Sequence, residues 1–210
     1  QSAKYSEPTT RYAHGILGDA IEYGALVLTT DAGAQLTLRL PETRVFEDLA
    51  PRLIDVDLDG ENEVVVIESS LSQGARLAIY DETGLLSATP YIGRSNRWLA
   101  PLGAADLDGD GRVELAYIDR PHLAKTLRIW RFEDGALRHL ADLPGLTNHK
   151  IGEDFISGGI RTCEGTPEII TANSAWTSII ATTFQGDGFK SRDLGPFTGP
   201  ASLKAATRCP

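Results

Sequence analysis

Two nine-residue stretches constrain this chain more than anything else in it: DVDLDGENE from Asp55 to Glu63, and DLDGDGRVE from Asp106 to Glu114. Each has the form DxDxDGxxE. Carboxylates at the first, third and fifth positions, a glycine at the sixth for a sharp turn, and a ninth-position acid supply the oxygens that a hard cation with six to eight ligands requires. Calcium is the default reading, with two sites. Asp55, Asp57, Asp59 and Glu63, with the main-chain carbonyl of Glu61, would make the first. Asp106, Asp108, Asp110 and Glu114, with the carbonyl of Arg112, would make the second. The alternative is a pair of solvated acidic turns without metal. An EF-hand would carry a bidentate acid at the twelfth position and helices on both sides. Here the twelfth positions are Val66 and Tyr117, inside the strand-like runs VVVI and LAYI.

The two loops start 51 residues apart (106 minus 55), and the sequence around them repeats with that period. From Leu53 the first unit reads as a strand, the acidic loop, strand EVVVIES, strand ARLAIYD, the turn ETG and strand LLSATPYI. The second follows suit with PLGAA, the acidic loop, VELAYID, TLRIWRF, the turn EDG and ALRHLADL. A third is degenerate. Glu168 opens a strand as Glu63 and Glu114 do, but Ile160, Thr162 and Glu164 stand where the aspartates should be. Four short antiparallel strands per unit, joined by glycine-bearing turns, is the pattern of a propeller blade.

A calcium loop feeding straight into a strand, twice, resembles the FG-GAP or VCBS type of β-propeller repeat. That resemblance implies an all-β fold, a β-propeller of four blades with four antiparallel strands each, in a single domain. It also implies company of several kinds, since such repeats occur in adhesion receptors, in lectins and as parts of larger enzymes. Members usually carry Asp at the ninth position, where this chain has Glu. The blades fall at about 50–93, 100–143 and 155–195. The fourth is split: RYAHGIL, YGALVLTT and QLTLRLP, within about 9–41, supply three strands, and GPASLKAAT, within about 199–208, is expected as the closing strand that removes the open edge. Five blades is the fallback. Aligning Pro51 with Pro200 places Cys163 and Cys209 on one rim, so a disulfide between them is expected, with two free buried thiols as the alternative.

A formal charge of -9 argues against nucleic acid, whose phosphates demand clustered Lys and Arg, and against anionic membrane surfaces. Membrane insertion is not expected, because no apolar run approaches a span. The chain has no methionine, including at position 1, so a piece cut from a precursor is expected, with an arbitrary start to the sequence as the alternative. With an even cysteine count and loops suited to calcium-rich compartments, a secreted or periplasmic location is expected.

The acidic loops belong to one rim of a propeller, so the loops of the other face are where a ligand is expected, by analogy with propellers generally. They hold Arg97, Trp98, His122, His149, Lys150, Glu153, Asp154 and Trp176, with Glu22 and Tyr23 nearby. The plainer reading is that the tryptophans pack between blades, His122 is a solvated loop residue and Glu153-Asp154 caps a turn. His14 and His139 fall in expected strands. No zinc spacing, GxSxG, HExxH or phosphate loop occurs, and no catalytic residue is assigned. The reading is a binding module for a protein or glycan. The alternative is a glycan-acting hydrolase or lyase using His149, Arg97 and an acid from Glu153 or Asp154.

Overall fold

The computed structural model describes residues 1–209. They form seventeen strands and one short helix, in two compact units. The first unit comprises Gln1–Leu99 with Asp134–Leu137 and Ile151–Asp154; the second takes the rest of the described chain.

In the first unit, β1 (Ser2–Thr9), β2 (Glu22–Thr29), β3 (Gln35–Arg39), β4 (Arg44–Phe46), β5 (Arg52–Ile54), β6 (Glu63–Ser70), β7 (Gly74–Asp81) and β8 (Gly84–Ala88) make one eight-stranded sheet. β6, EVVVIESS, is buried along its whole length because β4, β5 and β7 all pair with it. An uninterrupted apolar run suits a strand covered on both faces. Val64, Val66, Phe46, Leu26, Leu28 and Ala78 form the core around it. Each of these side chains but Ala78 contributes about 1.5–3 kcal/mol of burial.

A second sheet runs β12 (Ala136–Pro144), β11 (Thr126–Glu133), β10 (Glu114–Asp119), β9 (Leu99–Ala105). A third contains β13 (Leu146–Thr147), β14 (Gly159–Cys163), β15 (Thr166–Asn173), β16 (Ser178–Phe184) and β17 (Phe189–Pro196), followed by α1 (Pro200–Ala206). β10 is buried throughout, as β6 is, whereas β12 and β17 are largely open to solvent. The repeat read from the sequence is therefore physical: the strand after each loop is the central one, and the fourth strand is the edge. The first strand is continuous in the second repeat but broken into β4 and β5 in the first, and into β13 and β14 in the third. Gly158 marks the second break. A Cβ there would lie 2.3 Å from the Ile170 carbonyl oxygen, so only glycine lets the backbones approach that closely.

Two expectations are corrected. RYAHGIL is not a strand; Gly15 and Gly18 adopt φ of +64° and +96°, and the place beside β2 expected for it is taken by β1, upstream. Nor is GPASLKAAT a closing strand. Pro200 starts a helix, Ala, Leu and Lys favour its continuation, and Leu203 is fully buried against Ile170, Ala172, Ile179 and Ala181. The segment's place in the repeat suggested a strand, whereas its residues build a short helix with one fully buried apolar anchor. Cys163 and Cys209 are disulfide-bonded, with Cα atoms 5.6 Å apart. The bridge ties the end of β14 to the segment after α1 rather than to a closing strand.

Candidate functional site

Each acidic loop folds on its own first aspartate. Asp55 Oδ1 and Oδ2 accept the amides of Asp59 (3.1 Å) and Gly60 (3.0 Å). Asp106 accepts those of Gly109 (2.8 Å), Asp110 (3.1 Å) and Gly111 (2.9 Å) in the same way. The sixth-position glycines Gly60 and Gly111 sit at φ +95° and +84°, the left-handed turn that the motif requires. At the fourth position Gly109 is also left-handed, and Leu58 occupies that conformation at φ +63° despite its side chain. The ninth-position glutamates are buried and brace the loop entrance: Glu63 Oε2 accepts the Val56 amide (2.9 Å), and Glu114 Oε2 that of Leu107 (2.7 Å).

Carboxylate oxygens of Asp55, Asp57 and Glu63 converge within 4.8 Å of one another, and so do those of Asp106, Asp108 and Glu114. This donor set fits a hard, oxygen-seeking cation. Asp59 and Asp110 are outside these convergent sets, each turned to accept the amide two residues on, of Glu61 and Arg112. Burial, followed by the charges of Asp57 and Asp59, outweighs the Val56 hydrogen bond and pushes the Glu63 carboxyl up. A bound cation would relieve that repulsion.

The two clusters differ in one respect that the motif does not show. Arg131, on β11 opposite Glu114, puts its guanidinium among the acids of the second loop: Nε to Glu114 (2.6 Å), Nη2 to Asp108 (2.8 Å) and Nη1 to Asp110 (2.9 Å). In the first repeat the corresponding position, one beyond the Val64–Tyr80 pair, is Asp81. It caps the turn to β8 by accepting from Thr83 and Gly84. No basic side chain pairs with Asp55, Asp57, Asp59 or Glu63 among the described residues. The first loop has an uncompensated donor set; the second carries a built-in cation.

The expected ligand residues divide between the two units. Arg97, Trp98, Glu153 and Asp154 belong to the first. Trp98 is buried and donates Nε1–H to the Glu47 carbonyl (2.9 Å), so it has no surface to offer a ligand. Arg97 is half-buried and donates to the Asn96 carbonyl, Glu153 is half-buried, and Asp154 is exposed. In the second unit His149 is fully buried, its Nδ1 3.0 Å from Nε2 of the partly exposed His122. Lys150 is exposed, with Nζ 4.7 Å from the Trp176 ring centroid and 5.2 Å from that of Phe197. Trp176 holds this place at φ +58°, a strained conformation for an aromatic residue.

A group that the spacing did not select lies in the first unit: Glu22, Glu47 and Asp48, all buried. His14, which is not in a strand, places Nδ1 2.5 Å from Glu47 Oε1, and Ser69 hydrogen-bonds the other oxygen. Asp48 is paired with Arg52 (2.6 Å) and Tyr5 (3.2 Å). Burial, then the charges of Glu47, Asp19 and Asp48, push Glu22 up to about 9. A carboxyl whose folded value is raised contributes stability that is complete below the ordinary carboxylate range and is lost as pH rises toward 9. Stability should therefore fall with pH by up to about 1.4 kcal/mol per unit for this one proton. Glu22→Gln should flatten that slope in urea unfolding between about pH 6 and about pH 8; equal slopes in the two proteins would refute the assignment.

No curated protein matches the chain. Residues 55–117, which contain both acidic loops, all of β6 and the first part of β10, match the family model of the FG-GAP-like repeat, and this segment carries that repeat.

Proposed function

We propose that the protein acts outside the cytoplasm as a calcium-stabilised, four-bladed β-propeller that binds a protein or glycan ligand and performs no chemistry on it. The supporting observation is the recurrence of one carboxylate cluster at the same place in consecutive repeats, inside the segment that matches the FG-GAP-like family model. Asp55, Asp57 and Glu63 would hold the first ion, and Asp106, Asp108 and Glu114 the second, with the carbonyls of Glu61 and Arg112 as further oxygens. When bound, the ion cancels the mutual repulsion of these carboxylates. The protein's own part is to hold each loop in register: the ninth-position glutamate pins the loop entrance to the start of the central strand.

Loops of this type in extracellular modules bind calcium at about 10⁻⁴ to 10⁻³ M, which suits permanent occupation only where calcium is abundant. The disulfide suits the same oxidising setting. Trp176, Lys150 and His122 in one unit, and Arg97, Glu153 and Asp154 in the other, remain the exposed or half-exposed groups available for recognition.

At about 2 mM calcium and a Kd near 10⁻⁴ M, one filled loop adds about 2 kcal/mol to stability. Melting in chelator should therefore occur below melting in calcium, and equal curves would refute the structural role of the ion. A glycan array and a partner screen in calcium test the binding role. Turnover of a bound glycan, abolished by substitution of a loop residue, would replace the module reading with an enzyme.

A further inference from the structure

The third repeat keeps the glutamate of the acidic loops and discards the aspartates. Glu168 is held by two arginines instead. Arg161, paired opposite it on β14, gives Nε and Nη2 to Glu168 Oε2 (2.9 and 2.7 Å). Arg161 Nη1 donates to the carbonyls of Ala206 (2.8 Å) and Arg208 (3.2 Å), at the end of α1. Arg192, from β17, gives Nε and Nη2 to Oε1 (3.1 and 2.7 Å). Where the first two repeats gather negative charge, this one gathers guanidinium groups.

These groups line a cleft of about 740 Å³ bordered by the disulfide and by the end of α1. Its charged lining is Arg161, Arg192 and Arg208 against Glu164 and Glu168, a balance of +1 (three minus two) in a chain of net charge -9. Two donors are not consumed within the protein. Arg192 Nη1 has no hydrogen-bond partner among the described residues, and the exposed Arg208 side chain has no carboxylate partner among them. Leu194, Ala205 and Ala206 supply an apolar wall.

We propose that this cleft binds a ligand carrying a single carboxylate on a sugar-sized body, the chemistry of a uronic acid. The Arg208 guanidinium, which no carboxylate of the described residues engages, matches a carboxylate in two parallel hydrogen bonds, and Arg192 Nη1 adds a further donor. A surplus of one positive charge complements a monoanion better than a phosphate dianion. The cleft volume lies in the range of small-molecule sites, and the apolar wall suits the C–H face of a sugar ring. The site needs no metal ion and uses none of the ligand residues named for the proposed function, so its failure leaves that reading standing.

The test is titration of the full chain with glucuronate, glucose and inorganic phosphate, by calorimetry at low salt. Glucuronate should bind, glucose should not, and phosphate should bind more weakly. Arg208→Gln, an exposed substitution expected to leave the melt unchanged, should weaken glucuronate about tenfold, as loss of a charged hydrogen bond does. Arg192→Lys keeps the charge but removes the Nη1 donor left over from the Glu168 pair, and should weaken it as well. Equal affinity for glucuronate and glucose, no effect of Arg208→Gln, or tighter binding of phosphate than of glucuronate would overturn the assignment.

Discussion

Replacing Glu68 by alanine should destabilise the first unit by about 3–5 kcal/mol, the cost of stripping one partner from a buried charge network. Glu68 is fully buried in β6. Its carboxylate accepts from Arg44 (2.8 Å), Arg76 (3.0 Å to each oxygen), Tyr80 (2.8 Å) and Tyr91 (2.6 Å). Burial alone would raise its pKa, yet the Tyr91 hydrogen bond and the Arg76 charge outweigh it and hold the carboxyl below its ordinary value. The folded value is depressed, so the stabilisation is present above the ordinary carboxylate range and is lost as pH falls from that range through the lower folded value. Alanine would strand two guanidinium groups and two phenols around a void. Glu68→Gln keeps the shape and one acceptor and should cost less. Urea unfolding at neutral pH measures both; a loss under about 1 kcal/mol for the alanine variant would show that the network is solvated rather than structural.

The repeat was legible because burial imposes a pattern on residue choice. VVVI and LAYI mark strands covered on both faces, the acidic loops mark where they begin, and the turns ETG and EDG mark the outer hairpins. The ends of the chain were less legible, since they lack that ruler. RYAHGIL and SAKYSEPT both offer apolar residues at intervals, and two left-handed glycines decided against the first. GPASLKAAT sits where the repeat calls for a first strand, but one buried leucine after a proline is all a two-turn helix needs. At the loops, Asp59 and Asp110 each accept a backbone amide with one carboxylate oxygen and lie outside the convergent sets, a difference between the aspartates that residue type does not show. Trp98 and His149 were expected at a ligand surface because they fall in the loops opposite the acidic rim. Burial, invisible in a loop sequence, turned both inward. Arg161, Arg192 and Arg131 carry no motif. Only strand register brings them to Glu168 and Glu114.

That register yields the second large effect. Arg131→Met should cost about 3–5 kcal/mol in chelator, because it leaves the buried Glu114 and its neighbour Asp108 without their counter-ion. In calcium the loss should be much smaller. A resident guanidinium within hydrogen-bonding distance of three of the loop's acids competes with any ion that enters, and removing it gives the second loop the same uncompensated donor set as the first. The calcium-induced rise in melting temperature should therefore be larger for the variant than for the wild type. An arginine introduced at Asp81 should have the opposite effect, reducing the calcium response of the first loop. Melting each protein in chelator and in about 2 mM calcium gives the comparison. If Arg131→Met leaves the calcium-induced shift unchanged, the arginine is a surface cover rather than a counter-ion, and the two loops are equivalent sites.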